Sequence, residues 1–114
     1  MRKTDKKIDN QIIQVLTEVC EHALKQIDGF EWLTHTVDYN RFPHSLEITL
    51  VFDTNANLAN YLRCSQNTFL ADQVVSALNK INIKLVKPKT QISYDTEENC
   101  RQQHAGNWAK RLVH

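Results

Sequence analysis

Ser45-Leu46-Glu47-Ile48-Thr49-Leu50-Val51-Phe52-Asp53-Thr54-Asn55 is the stretch on which the fold turns. In an extended chain Leu46, Ile48, Leu50 and Phe52 point one way, and Glu47, Thr49 and Val51 the other. That is a strand with one face on a core and one face partly wet. The residues that follow, Asp53-Thr54-Asn55, carry short side-chain oxygens that cap helix N-termini, so a helix starts where the strand stops.

On the N-terminal side, Asn40-Arg41-Phe42-Pro43-His44 is turn chemistry, and Pro43 cannot donate to a ladder. Before it, Trp32 to Tyr39 places Leu33, Val37 and Tyr39 on one face with His35 between them. The two runs predict an antiparallel hairpin. Further upstream, Ile8, Ile12, Leu16, Val19, Ala23 and Ile27 recur every three or four residues, and Ile13, Val15, Cys20 and Leu24 widen the stripe. This predicts an amphipathic helix of about six turns. Thr4 or Asp5 is its expected cap, and Gly29 its stop.

On the C-terminal side, Leu58, Tyr61 and Leu62 and then Leu70, Val74, Leu78 and Ile81 keep helical spacing, as one kinked helix or two. Ser65 or Asn67 is the candidate restart. A third strand is expected over Ile83 to Val86 and a fourth over Gln91 to Tyr94, with Pro88 between them. Thr96 caps a last helix that Gly106 breaks. The predicted class is therefore α+β: a small two-layer domain with a three- to four-stranded mixed sheet and helices mainly on one face. Its order is α-β-β-α(α)-β-β-α, over residues 1–114, with 105–114 a docked or exchanged tail. The strand-helix-strand unit predicts that the second and third strands run parallel.

Composition narrows the function classes. Apolar residues make up 41% of the 114, enough for a core. No apolar run reaches membrane-spanning length. The basic start Met1-Arg2-Lys3-Thr4-Asp5-Lys6-Lys7 is not followed by a secretory apolar segment, so the expected location is the cytoplasm. The formal net charge is +1, which gives no whole-protein field for a polyanion. The distribution is less even: residues 17–53 hold seven acids and two bases, whereas residues 54–94 hold five bases and one acid.

The chain has only Gly29 and Gly106, far apart, so glycine-rich phosphate loops are missing. Cys20, Cys64 and Cys100 are odd in number, widely spaced and lack a C-x-x-C, which reads as three thiols in place of a disulfide framework or a zinc site. No metal and no cofactor is expected. Catalysis needs a nucleophile, a base and an orienting group in one pocket, and no such set stands out. His35 reads as a hydrogen-bonded, half-buried histidine, His44 as a turn residue, and Glu97 and Glu98 as acids at a helix start.

Three surfaces are candidates for binding. Lys80, Lys84, Lys87 and Lys89, with the N-terminal lysines, suit a phosphate backbone or protect an edge strand. Arg41 and Phe42 at the hairpin tip place an aromatic ring beside a cation, suited to a base or a partner pocket, unless Phe42 folds back onto the first helix. Trp108, Leu112 and Val113 form an apolar tail patch that docks on its own sheet or on a second copy, which would make a homodimer.

The residues Ile27-Asp28-Gly29-Phe30-Glu31-Trp32-Leu33-Thr34-His35, with Val37-Asp38-Tyr39, Phe42-Pro43 and Val51-Phe52-Asp53, resemble a group of short uncharacterised bacterial proteins often labelled Fis-type transcriptional regulators. The resemblance implies DNA binding through a C-terminal helix-turn-helix, although the matching region here reads as strand, turn, strand and polar helix. The element order is also similar to that of type II KH domains, without their G-x-x-G loop at Cys64-Ser65-Gln66-Asn67. The leading expectation is a non-enzymatic binding or regulatory module for nucleic acid, protein or itself, with no membrane partner. The alternative is a small enzyme or metabolite-binding domain with its pocket near His35.

Overall fold

A computed structural model of the chain describes residues 2–112. Helix α1 spans Lys3–Gln26, strand β1 Phe30–Thr36 and strand β2 Glu47–Phe52. Helices α2 (Asn55–Arg63), α3 (Phe69–Lys80) and α4 (Pro88–Gln91) lead to strand β3 (Ile92–Thr96), then α5 (Glu97–His104) and α6 (Trp108–Arg111). The class is α+β with a three-stranded mixed sheet, ordered β1-β2-β3. β1 runs antiparallel to β2, and β3 runs parallel to β2.

The alternation at 46–52 sets the layers. Ile48, Leu50 and Phe52 are fully buried beneath α1, α2 and α3, in one core with Ile12, Leu16, Leu70, Val74 and Leu78. The other face is also covered at one end. Trp32, Val51 and Asp95 stand side by side across the three strands. The α5–α6 pair lies over them: Arg111 donates to Asp95 at 2.5 and 2.9 Å, and Trp108 meets Trp32 edge-to-face at 4.8 Å. This explains why Val51 is buried although it points away from the main core.

Several boundaries differ from the sequence reading. α1 begins at Lys3 after Arg2 and has no side-chain cap; neither Thr4 nor Asp5 serves. α2 and α3 are separate, because Cys64 is extended between them. Asn67 does not start α3; it donates to the Leu62 carbonyl in the last turn of α2. Thr54 and Thr96 do cap, accepting from Asn57 N and Asn99 N.

The largest correction concerns residues 83–86, which are not a strand. Ile83 and Leu85 are buried and Lys84 and Val86 exposed, as alternation requires. Yet the ladder position beside β2 is taken by Ile92–Thr96, so 83–86 packs inward without a partner strand. The strand parallel to β2 is thus the segment after Pro88. Among the described residues, no helix is long and apolar enough to cross a membrane.

Candidate nucleic-acid interface

The sheet register fixes two ends. Thr36, Glu47 and Ile92 lie at one; Phe30, Phe52 and Thr96 lie at the other. α1 starts at the first end, where Asp9 accepts from His35 Nε2 at 2.8 Å and from Tyr39 Oη at 2.7 Å. It finishes at the second, where the Ile27 carbonyl accepts from Phe30 N. α3 runs the opposite way beside it. The rings of His22 and Phe69 stack at 6.4 Å, and Val15 and Glu18 share a groove with Ala77 and Lys80.

The Asn40–Leu46 connection and α4 are tied together at the first end by Gln91. This buried side chain donates to the carbonyls of Pro43, His44 and Leu46 at 2.8, 3.3 and 2.9 Å. Its carbonyl oxygen accepts from Lys87 N at 2.7 Å. The Gln91 side chain is buried and its bond to Leu46 lies wholly inside the protein, while the other three contacts are partly buried, so the glutamine sets where Lys87 and Lys89 sit relative to Arg41.

The consequence is a basic end. Lys3, Lys6 and Lys7 occupy the first turns of α1 and line a shallow groove with Asn10, Gln11 and Gln14. Lys84 and Lys87 lie on the α3–α4 connection, Lys89 on α4 and Arg41 in the hairpin turn, all exposed. Lys80 ends α3 on the flank beside Val15. None of these cations forms an ion pair among the described residues, whereas Arg2 is paired with Asp5 at 3.3 Å. An aromatic pair lies among them: Tyr39 and Phe42 at 5.6 Å, with Phe42 half-buried against the core. The lysines do not line an edge strand, because 83–86 is not one.

The other candidates fall elsewhere. Trp108 and Leu112 lie at the tail over the sheet, with Trp108 Nε1 donating to Glu97 at 3.1 Å. The same carboxylate accepts from Trp32 at 2.5 Å. Val113 lies outside the described residues. His35 lies in a groove of about 370 Å³ between α1 and β1, lined also by Ile13, Cys20, Leu33 and Thr34. The Asp9 carboxyl there is lowered from its ordinary value, chiefly by the His35 hydrogen bond and also by Tyr39, against the opposing effect of burial. Burial and Asp9 push the Tyr39 hydroxyl up, and burial raises the Cys20 thiol. A raised thiol is a poor nucleophile, and Asp9 already occupies His35 Nε2.

All three cysteines are free thiols, and no group of three or more metal-ligating side chains exists among the described residues. Sequence reasoning missed Asp9 and Gln91. Asp9 stands outside the apolar stripe of α1, and Gln91 reads as the start of a strand. Neither has a local signal, because each acts on residues more than twenty positions away. Comparison with family models, with curated proteins and with solved structures gives no match to this chain.

Proposed function

We propose that this domain binds the phosphate backbone of nucleic acid through its basic end. The observation that carries this reading is that Lys3, Lys6 and Lys7 of α1 and Lys84, Lys87, Lys89 and Arg41 of the connections all stand on elements that reach the same end of the sheet, exposed and with no carboxylate within ion-pair distance among the described residues. The net charge of +1 does not oppose it. At physiological salt the screening length is about 8 Å, so a phosphate responds to the nearest end of the molecule and not to the total. Unpaired lysines on short connections favour contacts to backbone over base edges, which gives affinity with little sequence preference. Tyr39 and Phe42 add a surface on which an unpaired base can stack.

The test is fluorescence anisotropy with labelled single- and double-stranded DNA and RNA at roughly 50 and 200 mM salt. Neutralising about four phosphates predicts a loss of affinity on the order of a hundredfold across that range. In Lys84→Ala/Lys87→Ala the slope of log affinity against log salt should fall by about two. Absence of binding at the lower salt, or an unchanged slope in the double variant, overturns the reading. The groove at His35 would then be the surface to probe.

A further inference from the structure

At the opposite end of the sheet lies a cavity of about 320 Å³ between the C-terminus of α1, the turn before β1, α2 and the start of α3. Four carboxamides line it: Gln26, Asn57, Asn60 and Gln66. Their protein partners leave much of their capacity open. The side chains of Gln26 and Gln66 make no hydrogen bond among the described residues. Asn57 uses only its amino group, on Asp53 at 2.9 and 3.2 Å. Asn60 uses only its carbonyl oxygen, which accepts from Arg63 at 2.7 Å. Tyr61 and Phe69 supply ring surface, and Tyr61 is held in place by a hydrogen bond from Leu70 N to its hydroxyl at 3.0 Å. The wall is set closely: Asn57 approaches Gly29 so nearly that a Cβ there would stand 2.6 Å from Asn57 Cβ.

The geometry points to this cavity as a binding site for a neutral nucleobase or nucleoside, with guanosine preferred. The volume falls at the lower end of the range of small-molecule sites. A carboxamide presents a donor beside an acceptor, the complement of the amide and amidine edges of a base. Ring faces accept a flat heterocycle. Asp28 is the one charged residue lining the cavity. Its carboxylate matches the adjacent N–H donors of guanine, and it disfavours an anion. No lysine or arginine lines the cavity, so a 5′-phosphate gains nothing there. The site is separate from the lysines, which lie at the other end of the sheet.

The experiment is an NMR titration of the full-length, isotope-labelled chain with guanosine, cytidine and guanosine 5′-monophosphate. Guanosine is expected to shift the side-chain amide signals of Asn57, Asn60, Gln26 and Gln66 and the backbone signal of Gly29. It should bind at least tenfold tighter than cytidine or the monophosphate. Asn60→Ala/Gln66→Ala, both at exposed positions, should weaken guanosine at least tenfold while leaving the remaining backbone spectrum in place. No shift of these signals at millimolar guanosine overturns the proposal. So does equal or tighter binding of the monophosphate with shifts at Lys3–Lys7 and Lys84–Lys89, which would assign the ligand to the basic end.

Discussion

Gly29 and Gly106 share a left-handed backbone, with φ of +85° and +80°, but their surroundings differ. A Cβ at Gly29 would overlap Asn57, whereas one at Gly106 meets nothing within 4 Å. Both glycine-to-alanine changes carry the left-handed penalty of about 1–2 kcal/mol. Gly29→Ala adds roughly 1–3 kcal/mol of overpacking, because the obstacle is the first carbon of a side chain on α2 and cannot swing aside. Urea midpoints of the two variants should therefore differ clearly, Gly29→Ala being the weaker. Equal midpoints would show that α2 shifts without cost. Gln91 makes the same point for a polar side chain: one buried carboxamide donates to the carbonyls of Pro43, His44 and Leu46.

Two contacts between elements carry predictions. Asp9 ties α1 to β1 and to the turn after it. Folding lowers its carboxyl, so it stabilises the fold above its unfolded-state value. That contribution is lost as pH falls through the lower, folded-state value. Asp9→Asn should cost about 1–2 kcal/mol at pH 7, and the gap to the parent chain should close in strong acid. Urea titrations at pH 7 and below pH 3 measure it, and a gap independent of pH would contradict the assignment. The second contact is Arg111 on Asp95, with the guanidinium also reaching Gln103 and His104 at 2.7 and 3.1 Å. The Asp95 hydrogen bond is what raises the Arg111 pKa. Arg111→Ala should cost about 2 kcal/mol and loosen α6. The chain has two tryptophans, Trp32 and Trp108, which pack edge-to-face, with the Arg111 guanidinium over the Trp108 ring, so emission should move to the red at low denaturant. Unchanged emission would mean that the indole pair holds α6 alone.

Over the whole molecule, the legible parts of the fold were those with a local cause. The period of α1, the alternation of β2, the caps at Thr54 and Thr96 and the α+β class all follow from neighbours in sequence. The partner of β2 does not. Ile83–Val86 and Ile92–Thr96 both alternate, and only the competition for one flank of β2, settled by Gln91 and the buried Thr96, decides between them. The same competition moved the lysines from a supposed strand to connections. The lysines and Arg41 were visible as candidates one by one. That they share an end was not, since it depends on α1 and α3 running in opposite directions. The amide-lined cavity left no trace in sequence, because Gln26 and Gln66 stand on segments forty positions apart.

The far end of the sheet gathers Asp28, Glu31, Asp53, Glu97 and Glu98 around the strand ends Phe30, Phe52 and Thr96. At the other end the lysines, Arg2 and Arg41 outnumber Asp5, Asp9, Asp38 and Glu47, so a nearly neutral chain is an electric dipole along the strands. In the field of a polyanion it experiences a torque before any contact forms, and it turns its lysine-rich end forward while the acid-rich end trails. Productive encounters are then a larger share of collisions than random orientation allows. The speed of association should accordingly depend on ionic strength more steeply than a charge of +1 suggests.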